Sequence, residues 1–552
     1  MRTFVVMSFA LAISMAGTSP AAETDGIDGT RISQHIKVLA SDAFEGRGPD
    51  TPGETKTVAY LIQQYTAIGL EPAGDKGGWT QAVPLRRFET PGEIKVGFTL
   101  NGKPRPLVEL QDIVVHTQKP TTHVTVKDAP LVFIGFGVDA PERHWDDFKG
   151  YDLKGKIAVV LINDPDFEMD PKNPLYGRFD GKAMTYYGRW TYKYAEAAKH
   201  GALGVLIVHE TAPAAYGWNT VKNSNGNAQF DIVRPRPGDY HPEVEGWIQR
   251  DVAVELFKAA GLDFDAEKAK AQTEGFKPVE LKGETFSADY AVRTSLITSH
   301  NVIGKLEGAR YPGEAVLYGA HWDHLGIGPP DAKGDRIYNG ALDNASGVAG
   351  MLEIARAFAH APRTQRSVYF IAFTAEEKGL LGSEYYGTHP VVPLSHTVAL
   401  LNLDGLQLDG PSHDVSSHGV GNSTLDDLMA VYAKRQGREF KPDPHQEEGH
   451  FFRADHFSLA KVGVPALTME GGEDLVVGGV AAGEAAHRDY VKYRYHQPAD
   501  EWRADWNMDG AVQDLTLYYD LGRDLADSRD WPTWKPGSEF KAIRDQTAAA
   551  RR

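Results

Sequence analysis

The sequence predicts an α/β protein: a mixed, mainly parallel central sheet flanked by helices, interrupted by a smaller inserted α/β unit. Three observations carry this. From His300 onward, strand-like runs, loops and helical patterns alternate, as parallel strands joined by crossovers require. Within that region Val368–Phe373, Val398–Leu403 and Val464–Met469 are short unbroken apolar runs, the signature of strands covered on both faces. Upstream, short β-type runs surround one helical pattern over a stretch long enough to fold as its own unit.

Taken in order, residues 1–22 read as a secretory signal, with Arg2, an apolar run from Phe4 to about Ala16, and small residues before Glu23. The run falls short of the ~18–20 residues needed to span a bilayer. The expectation is an exported protein, periplasmic or secreted, with no stable membrane anchor. Residues 23–118 form the first segment of the larger domain. Ile32, Ile36 and Leu39 share one helix face, as do Val58, Leu61, Ile62 and Tyr65, with Gly46-Arg47-Gly48-Pro49 between them and Gly69 as a C-cap. Composition turns to Thr, Lys and Pro from Thr117 to Asp128, marking an insert at 119–280. It should hold strands at Leu131–Phe136, Lys156–Ile162 and Leu203–Val208, one helix at Tyr192–Ala202, and loops at Asn219–Gly226 and Arg234–Tyr240. Residues 281–552 return to the larger domain. Ala315–Ala320 is a strand, and Ser346–Ala359 a helix with Val348, Met351, Leu352, Ala355 and Phe358 as its apolar stripe, closed by Pro362.

Composition narrows the chemistry. Lys and Arg total 58 against 75 Asp and Glu, a net charge of −17, which argues against nucleic acid or an anionic membrane as the main partner. There are no cysteines, so disulfides, thiol catalysis and Cys-held zinc are excluded, and any metal must sit on His, Asp and Glu. No Gly-x-Ser-x-Gly elbow and no His-Glu-x-x-His pair occurs.

Three buried runs each stop at ligand-type residues: His321-Trp322-Asp323-His324, Glu376-Glu377, and Asp404-Gly405. Asp343 precedes the helix at Ser346, and His496 follows Tyr495 near the C-terminal end. In open α/β sheets, residues at the carboxyl ends of strands converge though distant in sequence. Several acids aimed at one point call for cations, since buried carboxylates otherwise repel or take up protons. Adjacent Glu376 and Glu377 diverge in a loop backbone, so one can hold a metal while the other serves as general base.

In these residues the sequence resembles the co-catalytic di-zinc aminopeptidase family, whose superfamily includes glutamate carboxypeptidase, transferrin receptor and glutaminyl cyclase. The ordered pattern of His-x-Asp, a Gly-x-x-Asp-Asn turn, Glu-Glu, Asp and His runs from Ala320 to Asp500. The resemblance implies the zinc exopeptidase fold and an enzyme that hydrolyses N-terminal residues from peptides through a water bridging two zinc ions. Asp343 would bridge the ions, His321 and Asp404 would hold one, and Glu377 and His496 the other. Glu376 would be the general base, Tyr495 a donor to the oxyanion, and Asp323 a supporting residue behind His321. The stretch from Gly155 with Ala195–Leu206 resembles the protease-associated domain inserted in such enzymes, and Phe44-Glu45-Gly46-Arg47 resembles the start of their catalytic domain.

Other side chains are weighed less heavily. The resemblance does not require His324. His445, His450 and His456 with Asp455 could border a substrate cleft, His413 and His418 read as surface loop, and Asp500 either supports His496 or caps a turn. Three rival functions share the fold. A carboxypeptidase would need cations for substrate carboxylates, and no sequence pattern places Arg453 or another cation there. A glutaminyl cyclase would keep one zinc. A non-enzymatic binding protein is disfavoured by the complete ligand set.

Overall fold

Strand residues that read as doubly buried sit in the middle of the larger sheet of the computed structural model, which describes residues 26–419 and 421–551. The signal expected at residues 1–22 lies outside the described residues. In chain order the strands are β1 (Thr80–Glu89), β2 (Gln229–Ile232), β3 (Arg293–Leu306), β4 (Tyr311–His321), β5 (Arg366–Phe373), β6 (Thr397–Asn402), β7 (Asp414–Ser417), β8 (Glu439–Pro442) and β9 (Ala466–Gly471). Across the sheet they run β2-β1-β3-β5-β4-β6-β9-β7-β8. The central four, β5-β4-β6-β9, are parallel. Antiparallel pairs flank them on both sides. Every residue of β6 is buried and nearly all of β5, as expected for strands sandwiched between helices.

Helices supply the cover. Gly347–His360 buries Val348, Met351, Leu352, Ala355 and Phe358, and ends where Pro362 forces Ala361 into an extended conformation. Asp509–Asp527 packs Leu515, Tyr518, Leu521 and Leu525 into the same core. Pro52–Ile68 starts on Thr51, whose hydroxyl accepts from Gly53 and Glu54 N–H, and stops at Gly69 in the left-handed region. In the chain between helices Gly29–Leu39 and Pro52–Ile68 lies a buried cation: the Arg47 guanidinium donates to the carbonyls of Leu39, Trp322, Asn339 and Gly340 at 2.6–2.9 Å. It ties the N-terminal segment to the loops that carry His321 and Asp343.

A second sheet of eight strands takes its strands from Lys95–Leu100 through Val279–Ala291. This is wider than the 119–280 insert expected from composition. The strands Lys95–Leu100 and Val279–Ala291, which lie outside the expected insert or cross its boundary, alternate buried and exposed residues, so no continuous apolar run announces them. The helix expected at Tyr192–Ala202 is found at Trp190–Lys199, and it is not alone: Arg250–Ala259 and Phe264–Ala271 also pack here. Asn219–Gly226, expected as loop, is a helix over Trp218–Asn225. Its sequence is poor in helix formers, but Thr220, Val221 and Asn223 are buried by docking, which overrides weak local preference. No helix among the described residues is long and apolar enough to cross a membrane.

Candidate metal centre

The carboxyl ends of β4, β5 and β6 lie side by side, and the loops leaving them carry His321, Glu376 with Glu377, and Asp404. Asp343 comes from the turn that opens helix Gly347–His360. Two stitches fix that turn. The Asn344 side chain donates to Leu403 O and accepts from Gly347 and Gly405 N–H, drawing Asp343 beside Asp404. The Asp500 carboxylate accepts from the Leu342 and Asp343 N–H groups at 3.1 Å. Asp500 therefore caps the turn that carries Asp343, one of the two roles the sequence left open.

The five residues meet. His321 Nε2 is 3.2 Å from Asp404 Oδ1 and 3.3 Å from Asp343 Oδ1. On the other side His496 Nε2 is 3.2 Å from Asp343 Oδ2 and 3.1 Å from Glu377 Oε2. Asp343 thus faces both imidazoles with its two oxygens. Glu376 Oε2 stands 3.9 Å from His321 Nε2. The Asp323 carboxylate accepts from the Glu376 N–H at 3.0 Å, while His321 Nδ1 is 3.1 Å from the Asp323 carbonyl and 3.8 Å from its carboxylate. Asp323 therefore holds both neighbours, Glu376 through its side chain and the His321 imidazole through its backbone. The Tyr495 hydroxyl accepts from Arg453 Nη2 at 2.6 Å, and its ring packs 4.0 Å from that of His496.

His324 is the residue that sequence reasoning undervalued. It is fully buried, with Nδ1 2.5 Å from Glu377 Oε1. The contact lacks hydrogen-bond geometry, so both imidazole nitrogens and Glu377 Oε1 have no hydrogen-bond partner. Its adjacency to the His-x-Asp motif was the only signal.

Electrostatics show that the cluster is short of positive charge. Burial, with Asp404 and Glu377 nearby, pushes the Glu376 carboxyl well above its usual range. Burial alone would lower His321, but Glu376 and Asp404 outweigh it and raise its imidazole well above normal. His496 follows the same logic, burial being outweighed by Glu377 and Asp343, and rises to about 9. Burial lifts Asp323 to about 7. Acids at this density draw protons onto neighbouring imidazoles.

A second group of imidazoles lies along a cavity wall, where His418, His450 and Glu470, and His445, Glu448 and His487, are two further sets close enough together to hold an ion. His418 is 2.9 Å from both Asp443 and Glu470, His445 2.6 Å from Glu473, and His450 and His487 2.8 and 2.9 Å from Glu448. These are hydrogen-bond lengths. Two ligands of one tetrahedral zinc would stand ~3.3 Å apart, close to the 3.1–3.3 Å spacing around Asp343. His418, expected in a surface loop, is buried at 5% exposure because two carboxylates enclose it. His445 and His450 border the cavity, whereas Asp455 and His456 are buried behind it.

Known proteins resemble this chain in sequence and in fold. Residues 301–520 match the model of peptidase family M28. Aminopeptidase YwaD of Bacillus subtilis (strain 168) is 40% identical over 364 residues, covering 65% of this chain and 58% of that protein. A probable zinc metalloprotease of Pyrenophora teres f. teres (strain 0-1) is 39% identical over 103 residues, 19% of this chain. The chain spans 22% of the Pyrenophora protein's length and 58% of YwaD's. The aminopeptidase from Aneurinibacillus sp. strain AM-1 superposes with a TM-score of 0.52 at 20% identity, covering 93% of this chain and 95% of that one. The zinc aminopeptidase BSAP from Bacillus subtilis gives 0.50 at 17% identity, covering 94% and 98%. The shared fold is that of these enzymes.

Proposed function

We propose that this chain, which belongs to peptidase family M28 through residues 301–520, is an exported zinc-dependent aminopeptidase that binds two zinc ions. One observation carries the reading: Asp343 presents one oxygen to His321 and Asp404 and the other to His496 and Glu377. The residues fit such ions in donor chemistry, in spacing and in the buried atoms of Glu377 and His324 that no hydrogen bond satisfies. His321, Asp343 and Asp404 would hold one ion, and Asp343, Glu377 and His496 the other, with His324 against Glu377. When bound, the ions supply Lewis acidity, polarising the scissile carbonyl and acidifying a shared water.

The remaining work falls to side chains. Glu376, which stands 3.9 Å from His321 Nε2, would accept a proton from the attacking water and deliver it to the leaving amine. Asp323 aims Glu376 through its backbone N–H. The Tyr495 hydroxyl, pinned by Arg453, keeps its own proton to donate to the developing oxyanion. Asp404 and Asp343 favour a free ammonium on the substrate. The second lobe is read as a protease-associated domain on its apolar strand pattern, and export rests on the N-terminal sequence.

The test is release of N-terminal residues from peptides and amino-acid anilides, with metal content measured in parallel. Two zinc per chain, activity lost to a chelator and restored by zinc, and no cleavage of N-acetylated peptides are expected. A zinc-loaded enzyme inert toward free N-termini would overturn the assignment.

A further inference from the structure

We propose that a second metal-binding site lies in the cavity that holds Asp343 and Asp404: His418, His450 and Glu470 take one zinc-type divalent cation, and His445, Glu448 and His487 take another. None of these residues belongs to the centre proposed above, and the inference does not depend on the peptidase reading. Within each set the nitrogen and oxygen donors lie no more than 4.8 Å from one another. Both sets line the same cavity of about 220 Å³ as His321, Asp343 and Asp404.

Separate segments bring the donors together. Strands β7 and β9 pair antiparallel with Ser416 opposite Glu470, and the His418 N–H donates to the Thr468 carbonyl. Strand pairing therefore fixes His418 against Glu470, a rigid base for a site. Glu448 and His450 come from the loop after β8, and His487 from helix Gly479–Tyr493, in which only Gly483 is buried. Glu448 joins the two sets. Its Oε2 is 2.8 Å from His450 Nε2 and its Oε1 2.9 Å from His487 Nε2, as Asp343 stands between His321 and His496.

Protons suit this cluster poorly. The rings stack in pairs, His445 on His487 with centroids 3.8 Å apart and planes 8° apart, and His418 on His450 at 4.8 Å and 20°. Asp443, Glu448, Glu470 and Glu473 stand 2.6–2.9 Å from these imidazoles. Balancing four carboxylates with four imidazolium protons sets like charges face to face in each stack. Two divalent cations supply the same charge and leave the rings neutral, the form in which imidazole ligates. Imidazole donors also select zinc-type ions over calcium or magnesium, which prefer oxygen.

The contacts have hydrogen-bond lengths, with a proton where the ion would sit. Opening them to the ~3.3 Å spacing of two ligands on one zinc takes a movement of less than ~1 Å. Because binding must release those protons to solvent, these ions should be held more weakly than the pair at the first centre. Through His487 they would clamp a helix with one buried residue to the loop after β8.

The experiment is equilibrium dialysis of the full chain against buffered free zinc, followed by elemental analysis. Two zinc per chain are expected at low free zinc, and two more, at least about tenfold weaker, at higher free zinc. His450→Gln and His487→Gln should each lose one weaker ion, and the double variant both, with the tighter pair unchanged. In Asp343→Asn, zinc should still fill the weaker sites and raise the melting temperature, an effect lost when both His substitutions are added. Binding that stops at two and ignores the His substitutions, or weaker ions that survive them, would overturn the site. Displacement of the weaker ions by millimolar calcium would overturn the zinc-type assignment. Should the His variants fail to fold, the Asp343→Asn titration decides, because absence of zinc binding there overturns the site. If all bound zinc is instead lost in the double His variant, the first centre fails and this one stands.

Discussion

The Ser224 hydroxyl lies 2.7 Å from Nδ1 of His496, although the two residues belong to different lobes. Asn223, from the same short helix, donates to the His496 carbonyl at 2.9 Å. Lys378, next to Glu377, donates in turn to the Ser224 carbonyl. His496 is held with φ 55°, a left-handed conformation rare for a non-glycine residue, so its orientation depends on these neighbours. The lobe that carries none of the five proposed ligands thus holds one of them in place.

Replacing Ser224 with Ala should weaken zinc at the Glu377–His496 side by about tenfold, the lower end of what loss of an outer partner costs a ligating imidazole. Chelator competition would measure it, and Ser224→Thr should retain most of the affinity. Identical chelation curves for wild type and Ser224→Ala would show that the contact orients nothing.

Glu376→Gln and Asp343→Asn should separate base from ligand. The first should keep two zinc per chain while turnover falls by at least about a hundredfold. The second should lower occupancy on both sides, because Asp343 faces both imidazoles. Elemental analysis alongside the peptidase assay distinguishes them, and near-normal turnover in Glu376→Gln would remove it from the proton path.

Arg47→Met should destabilise the fold by at least about 3 kcal/mol, since four buried carbonyls lose their donor at ~1–3 kcal/mol each before relaxation. Urea unfolding measures this. A loss under 1 kcal/mol would mean that water or a rearranged loop replaces the guanidinium.

His241 should make stability depend on pH in the alkaline direction. Burial would lower its imidazole, yet Glu245 and Asp231 outweigh that and raise it from 6.5 to about 9. Its contribution is therefore complete below pH 6.5 and disappears as pH rises through 9, at about 1.4 kcal/mol per unit. Glu245, held down from 4.5 to about 2 by His241 and His116 against the effect of burial, behaves oppositely and matters only in acid. Denaturant melts at pH 6.5, 7.5 and 9 should show a decline that His241→Gln lacks, and parallel curves would refute the pairing.

The strand-end ligands could be read because each follows a short apolar run, and a buried parallel strand ends where a site begins. His321, Glu376, Glu377 and Asp404 all carried that mark. Ser224 and Asp500 carried none, since each acts across a separation of more than 150 residues and sits in a segment of ordinary local pattern. His324 was visible and discounted because motif membership stood in for geometry. Strands Lys95–Leu100 and Val279–Ala291 of the second sheet escaped for a different reason: half-buried strands alternate, and short alternation among Lys, Gly and Thr resembles loop.

Strand β2, Gln229–Ile232, lies within the stretch of chain that builds the second lobe, yet it pairs with β1 at the margin of the larger sheet. The two lobes are therefore not modular. Excising the stretch between Lys95 and Ala291 would strip β1 of its outer neighbour and bare the edge of Leu85–Phe88 that β2 covers, an invitation to intermolecular strand addition and aggregation. Any chimera that exchanges lobes between relatives must carry this strand with its host sheet.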